Sequence, residues 1–60
     1  MIKHLYVYML KCCDNSYYVG VTNDVNRRLD EHNMGENATS YTFNRRPVEL
    51  VYFQLFSDYN

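Results

Sequence analysis

Cysteine is confined to one adjacent pair, Cys12 and Cys13. A bond between neighbours in sequence is strained and no second pair exists, which excludes a disulfide framework. Adjacent thiols also lack the spacing of a zinc site. Both are expected to be reduced thiols near a turn, as in a cytosolic protein. No apolar run approaches the ~20 residues that a membrane span needs. Met1-Ile2-Lys3-His4 leads straight into a strand-like segment, without the long apolar core of a secretory signal. A soluble, cytoplasmic protein with no membrane partner is expected. A basic excess is missing too: the net charge is -1, which argues against a generic nucleic-acid coat. It leaves room for an enzyme that gathers a few cations at one phosphate. There are no repeats, linkers or low-complexity segments. The 60 residues are expected to form one domain, 1–60, with a small core and marginal stability.

What is present is clustered. Tyrosine is abundant, and in a small domain its ring fills core while its hydroxyl stays wet. The cations fall in groups: Lys3, His4 and Lys11, then Arg27-Arg28, then Arg45-Arg46. His4 to Lys11 is apolar almost throughout and rich in β-branched and aromatic residues, which predicts a strand buried on both faces. Cys13-Asp14-Asn15-Ser16 is turn chemistry, and Tyr17 to Val21 is a second strand. The short link makes the pair an antiparallel hairpin. A turn centred on Cys13 would set Tyr8 opposite Tyr18; a tight Asp14-Asn15 turn would not. The residues leave both registers open.

Thr22-Asn23-Asp24 marks a helix start, with a capping side chain and negative charge suited to a helix N-terminus. The helix is predicted from about Asp24 to Met34, stopped by Gly35. At 100° per residue, Val25, Arg28, Leu29 and His32 share one face, while Arg27, Asp30 and Glu31 point the other way. Glu36 to Asn44 is polar and reads as a loop. Arg45-Arg46-Pro47 leads into a third strand, Val48 to Phe56, with Pro47 tolerated at its start. Ser57-Asp58 reads as the N-cap of a second helix. The fold class is therefore α+β: a small β-β-α-β domain with a largely antiparallel three-stranded sheet, one intact helix and a second helix truncated.

Two tyrosine tripeptides stand out, Tyr6-Val7-Tyr8 and Tyr18-Val19-Gly20. They are followed in order by Thr22, Asp24, Arg28 and His32. Together these motifs resemble the GIY-YIG nuclease superfamily, with Tyr6 in place of the first signature's Gly. The resemblance covers nearly the whole chain and is greatest to small stand-alone bacterial members, similar to the excision-repair nuclease domain. It implies hydrolysis of a DNA phosphodiester, branched or damaged, with Mg2+ or Mn2+ as cofactor of the complete domain. It assigns Tyr8 as base or water-positioning group, Tyr18 as its partner, Arg28 as phosphate clamp and His32 as proton relay or orienter. It also implies a metal-binding glutamate on the helix after the third strand. Glu31, Glu36 and Glu49 do not match that position, and no metal ligand is assigned.

The roles agree with elementary chemistry. A guanidinium meets phosphate charge with paired hydrogen bonds. A tyrosine, with an ordinary pKa of about 10, is a poor base without help. His32 lies one turn after Arg28, where side chains meet. Each residue also has a plainer role. Tyr8 and Tyr18 are then packed strand tyrosines, Arg28 a surface ion-pair partner, and His32 a helix-end histidine. Gly20 then marks a bulge or a close backbone approach, and Thr22 and Asp24 only cap. The joint spacing favours a site. Lys11, Arg45 and Arg46 are candidate nucleic-acid contacts, with Tyr41 and Phe43 as stacking platforms; the alternative is a solvated loop with its aromatics tucked onto the sheet.

The expected function is the core of a divalent-metal-dependent DNA endonuclease, inactive as a truncated chain. A non-catalytic nucleic-acid-binding module and a protein-interaction domain are the alternatives. Loss of the second helix would uncover one sheet face and favour a homo-oligomer.

Overall fold

The computed structural model describes residues 3–59. Its elements follow the order β1 (Lys3–Lys11), β2 (Tyr17–Thr22), α1 (Val25–Met34), a short 3-10 helix (Phe43–Arg45) and β3 (Glu49–Tyr59). The strands form one antiparallel sheet in the order β2-β1-β3. The most continuously apolar segment thus becomes the central strand, which has a neighbour on each side. The β-β-α-β order and the antiparallel three-stranded sheet agree with the sequence expectation.

The β1–β2 link takes neither of the two registers considered. Lys11 pairs with Tyr17, and Tyr8 lies opposite Gly20. The backbone closes with Cys12 N–H donating to Ser16 C=O at 2.8 Å and Asn15 N–H to Cys12 C=O at 3.0 Å. Asn15 takes the left-handed conformation, φ 69°, which Asn tolerates better than most residues. Asp14 Oδ1 accepts the Ser16 N–H at 3.0 Å. Cys12 is buried and Cys13 exposed, and both are free thiols.

α1 starts and stops where capping chemistry says it should. Asp24 Oδ1 accepts the Arg27 N–H at 3.0 Å, and Thr22 Oγ1 accepts the Asp24 N–H at 3.1 Å. Gly35 ends the helix with φ 68°, a conformation that favours glycine. Val25 and Leu29 face inward and pack on a core of Tyr8, Leu10, Cys12 and Val48. Asn33 fastens the far end of α1 to the start of β3. Its amide donates to Val48 C=O at 3.0 Å and accepts Val48 N–H at 2.8 Å.

The helix covers only one face of the sheet. Strand alternation puts Val7 and Met9 of β1 and Tyr17, Val19 and Val21 of β2 on the other face, where Tyr17, Val19 and Val21 are 55%, 57% and 49% exposed. Three expectations need correction. β1 is not buried on both faces: its buried residues, Tyr8 and Leu10, are both on the helix side. Ser57 and Asp58 are not a helix cap: they lie inside β3, paired with Leu5 and His4. A register shift beside Tyr6 lets the ladder continue, and β1 satisfies backbone groups that a new helix would leave open. Glu31 does not point away from Arg28. It is half-buried and accepts a hydrogen bond from Arg28 Nη1 at 3.0 Å, because residues three apart on a helix are neighbours.

Candidate active site

The site forms where the β1–β2 ladder meets the last turns of α1. Tyr8 leaves β1 toward the helix and is 2% exposed. Its ring has room only because the residue across the ladder is Gly20, where a Cβ would sit 2.6 Å from the Tyr8 hydroxyl. Gly20 is therefore a close-approach glycine that seats Tyr8. The Tyr8 hydroxyl meets His32 Nε2 at 3.1 Å. Tyr18, diagonal to Tyr8 on the same sheet face, packs its ring 6.1 Å from Tyr8 and 5.0 Å from His32. The three aromatic rings form one cluster beneath the end of the helix.

A cavity of about 450 Å³ opens beside this cluster. Tyr18, Arg28, Glu31 and His32 line one side, and Ser40, Thr42 and Phe43 of the following loop line another. Arg28 is half-exposed at the rim, with its guanidinium on Glu31. His32 Nδ1 lies 2.6 Å from Thr42 Oγ1, and Thr42 is fully buried. Thr42 Oγ1 in turn lies 3.1 Å from Ser40 Oγ. A chain of hydrogen bonds thus runs from Tyr8 through His32 and Thr42 to Ser40. Among the described residues no buried side-chain nitrogen or oxygen lacks a partner.

Burial keeps Tyr8 and His32 in their neutral forms. Burial, reinforced by the neighbouring Tyr18, pushes the Tyr8 phenol up to about 12; Arg28 opposes the shift. Burial and the Arg28 charge lower His32, and Glu31 partly offsets them. Near pH 7 Tyr8 holds its proton and His32 has an empty nitrogen. Desolvation disfavours the charged form of each, in opposite pKa directions.

Tyr18, Arg28 and His32 line the cavity together, and Tyr8 meets His32 behind that lining. Lys11, Arg45 and Arg46 do not line the cavity. Lys11 sits in β1 opposite Tyr17 and Glu49. Arg45 pairs with Asp14 at 3.0 Å and stacks on Tyr41, 3.9 Å from the ring centre, bracing the β1–β2 turn. Arg46 lies over Phe43 and donates to its carbonyl at 2.8 Å. Tyr41 is stacked between Arg45 and Tyr18. Sequence reasoning missed Thr42, Ser40 and Asn33. The only local signal was a hydroxyl–aromatic alternation, Ser40-Tyr41-Thr42-Phe43, in a segment with no strand or helix period to interpret it.

The paired tyrosines, the helix arginine and the histidine one turn later define a class, and comparison with known families agrees. The GIY-YIG catalytic domain matches residues 4–60, and the chain belongs to this family. Its relatives include UPF0213 proteins. One from Haloquadratum walsbyi is 55% identical over 93% of this chain and 62% of its own length. One from Staphylococcus haemolyticus is 54% identical over 95% of this chain and 67% of its own. The UPF0213 protein YazA of Bacillus subtilis is 50% identical over 87% of this chain and 52% of its own. The chain thus spans between about half and two thirds of the length of these relatives. No solved structure matches it.

GIY-YIG domains typically use a divalent metal. Among the described residues no three His, Cys, Asp or Glu side chains converge to hold one. These residues do not by themselves make a metal site. Among the described residues, no helix is long and apolar enough to cross a membrane.

Proposed function

We propose that this chain carries the phosphate-binding and proton-accepting half of a GIY-YIG endonuclease site, acting on branched or damaged DNA in the cytoplasm. The observation that carries the reading is the Tyr8–His32 hydrogen bond at 3.1 Å beside a cavity with Arg28 at its rim. A phosphodiester in the cavity gains charge on its non-bridging oxygens as water attacks phosphorus. Arg28 meets that charge with its planar donors. Tyr8, raised to about 12, does not act as a free phenolate. The buried Tyr8 hydroxyl lies behind the cavity lining; in this reading a small opening beside Tyr18 brings the attacking water to it, and it accepts the water's proton as its own proton passes to His32 Nε2. A new O–P bond forms, the bond to the leaving oxygen breaks, and His32 ends the step protonated. Tyr18 holds the ring geometry. Lys11, Arg45 and Arg46 extend the contact along the nucleic-acid backbone.

Mg2+ or Mn2+ is the cofactor expected of the GIY-YIG domain in this reading. A helix after β3 is where the resemblance puts the metal-binding glutamate. A second reading is nucleic-acid binding without hydrolysis, for which Arg45 over Tyr41 and Arg46 over Phe43 supply cations beside aromatic faces. The exposed apolar sheet face supports association of two copies; sedimentation over a wide concentration range tests this, and a clean monomer refutes it.

The deciding experiment is cleavage of branched and nicked DNA, with Mg2+ or Mn2+, by the chain alone and within its complete gene product. Nicking that falls by at least about 100-fold in Tyr8→Phe and Arg28→Ala supports the endonuclease. Salt-sensitive DNA binding without cleavage supports the binding module. Variants that cleave as well as the parent remove the site assignment.

A further inference from the structure

The hydrogen-bond chain does not end at His32. A neutral imidazole carries one proton, and the nitrogen that holds it is set by the partner of the other. His32 Nε2 faces the Tyr8 hydroxyl, and Nδ1 faces Thr42 Oγ1 at 2.6 Å. Two proton arrangements satisfy this geometry. In one, Nε2–H donates to Tyr8, and Thr42 donates to Nδ1. In the other, Tyr8 donates to Nε2, Nδ1–H donates to Thr42, and Thr42 O–H donates to Ser40.

We propose that Thr42 is a positioning residue that holds His32 in the Nδ1–H tautomer, leaving Nε2 free to take the Tyr8 proton. One chemical preference favours this sense, and the surroundings of Thr42 accommodate it. A phenol is a better donor than an imidazole N–H and a weaker acceptor than an imidazole nitrogen, so Tyr8 O–H to Nε2 is the stronger pairing. Thr42 is fully buried, and with Nδ1 protonated its single O–H still finds an acceptor inside the protein, because Ser40 Oγ lies 3.1 Å away. Ser40 Oγ also accepts the Thr42 N–H at 3.3 Å, which presents its lone pairs to residue 42 and leaves its own O–H for the cavity it lines. The turn that holds these groups is itself closed, with Phe43 N–H donating to Ser40 C=O at 3.1 Å and Arg45 N–H to Thr42 C=O at 2.9 Å. When His32 gains a proton, Thr42 is already placed to accept from Nδ1–H.

The consequence for catalysis rests on the nuclease reading above, but the tautomer does not, and it is measured without turnover. The test is nitrogen NMR of the His32 imidazole, with 15N-labelled histidine, at a pH where His32 is neutral. Thr42→Val removes the hydroxyl at nearly constant shape, and Thr42→Ser retains it. The expected result is a protonated Nδ1 and a bare Nε2 in the wild type and in T42S, with loss of that single tautomer in T42V. If the protein cleaves DNA, T42V lowers kcat by about 10–100-fold, the loss of one hydrogen bond to the protonated imidazole, with KM little changed, and T42S restores most of it. A wild-type proton on Nε2, or an unchanged tautomer in a folded T42V, overturns the proposal. Should T42V not fold, the wild-type and T42S spectra decide. The expected tautomer in a protein that never cleaves leaves Thr42 as the positioning residue and removes the nuclease reading.

Discussion

The Tyr8 ring lies against the backbone of Gly20, so closely that a Cβ at position 20 would fall within 2.8 Å of three of its atoms. A residue read as one half of a family signature is thus the seat for the tyrosine of the other half. Gly20→Ala is expected to displace Tyr8 and cost about 1–3 kcal/mol by overpacking. Urea denaturation measures the loss, and a G20A protein as stable as the parent contradicts the contact.

Asn33 ties α1 to β3 through both backbone groups of Val48, and Val48 is buried. Asn33→Ala leaves those groups without their partner, at about 1–3 kcal/mol. Asn33→Asp keeps the acceptor but sets a carboxylate oxygen against the Val48 carbonyl, so it too is destabilising. Thermal melts are expected to place both N33A and N33D below the parent; an N33A protein that melts with the parent contradicts the tie.

Glu31 holds the Arg28 guanidinium at 3.0 Å, and a phosphate must share or replace that contact. Glu31→Gln is expected to strengthen binding of a phosphodiester analogue modestly, by about 1.5- to 5-fold, the range of an exposed ion pair. Calorimetric titration with a short nuclease-resistant oligonucleotide reads the change; weaker binding contradicts a competing role for Glu31.

The pH dependence follows from His32 and Tyr8. His32 is lowered in the folded chain, so the unfolded chain binds the proton more readily. Its contribution to stability is full above the ordinary value of about 6.5 and falls as pH drops below it through the folded pKa. Tyr8 is raised to about 12, so its contribution is full below pH about 10 and is lost as pH rises toward 12. Urea midpoints across pH show both limbs. Tyr8→Phe removes the alkaline limb assigned to residue 8, and His32→Gln removes the acid limb assigned to residue 32. Retention of either limb in its variant contradicts the assignment.

Much of this molecule was legible in local chemistry. The helix between Asp24 and Gly35 follows from caps and a positive-φ stop, both properties of a few adjacent residues. The three strands follow from β-branched and aromatic runs, and the grouping of Arg28 with His32 follows from the helical repeat. Glu31 was misread because a helical wheel assigns a direction to the Cβ, whereas the long Arg28 and Glu31 side chains reach each other at the rim. Ser57 and Asp58 were misread because capping residues are also tolerated in an edge strand once a partner strand is there.

By itself, the sequence determined the elements and the order in which Tyr8, Tyr18, Arg28 and His32 occur, because periodicity and capping act within one turn or one strand. Only the tertiary structure decided which atoms meet. The ladder register put Tyr8 over Gly20, helix docking brought His32 to Tyr8 across 24 positions, and the loop delivered Thr42 to the far side of the imidazole. Such contacts join residues distant in the chain, and no local propensity encodes the roughly 3 Å geometry on which a proton transfer depends.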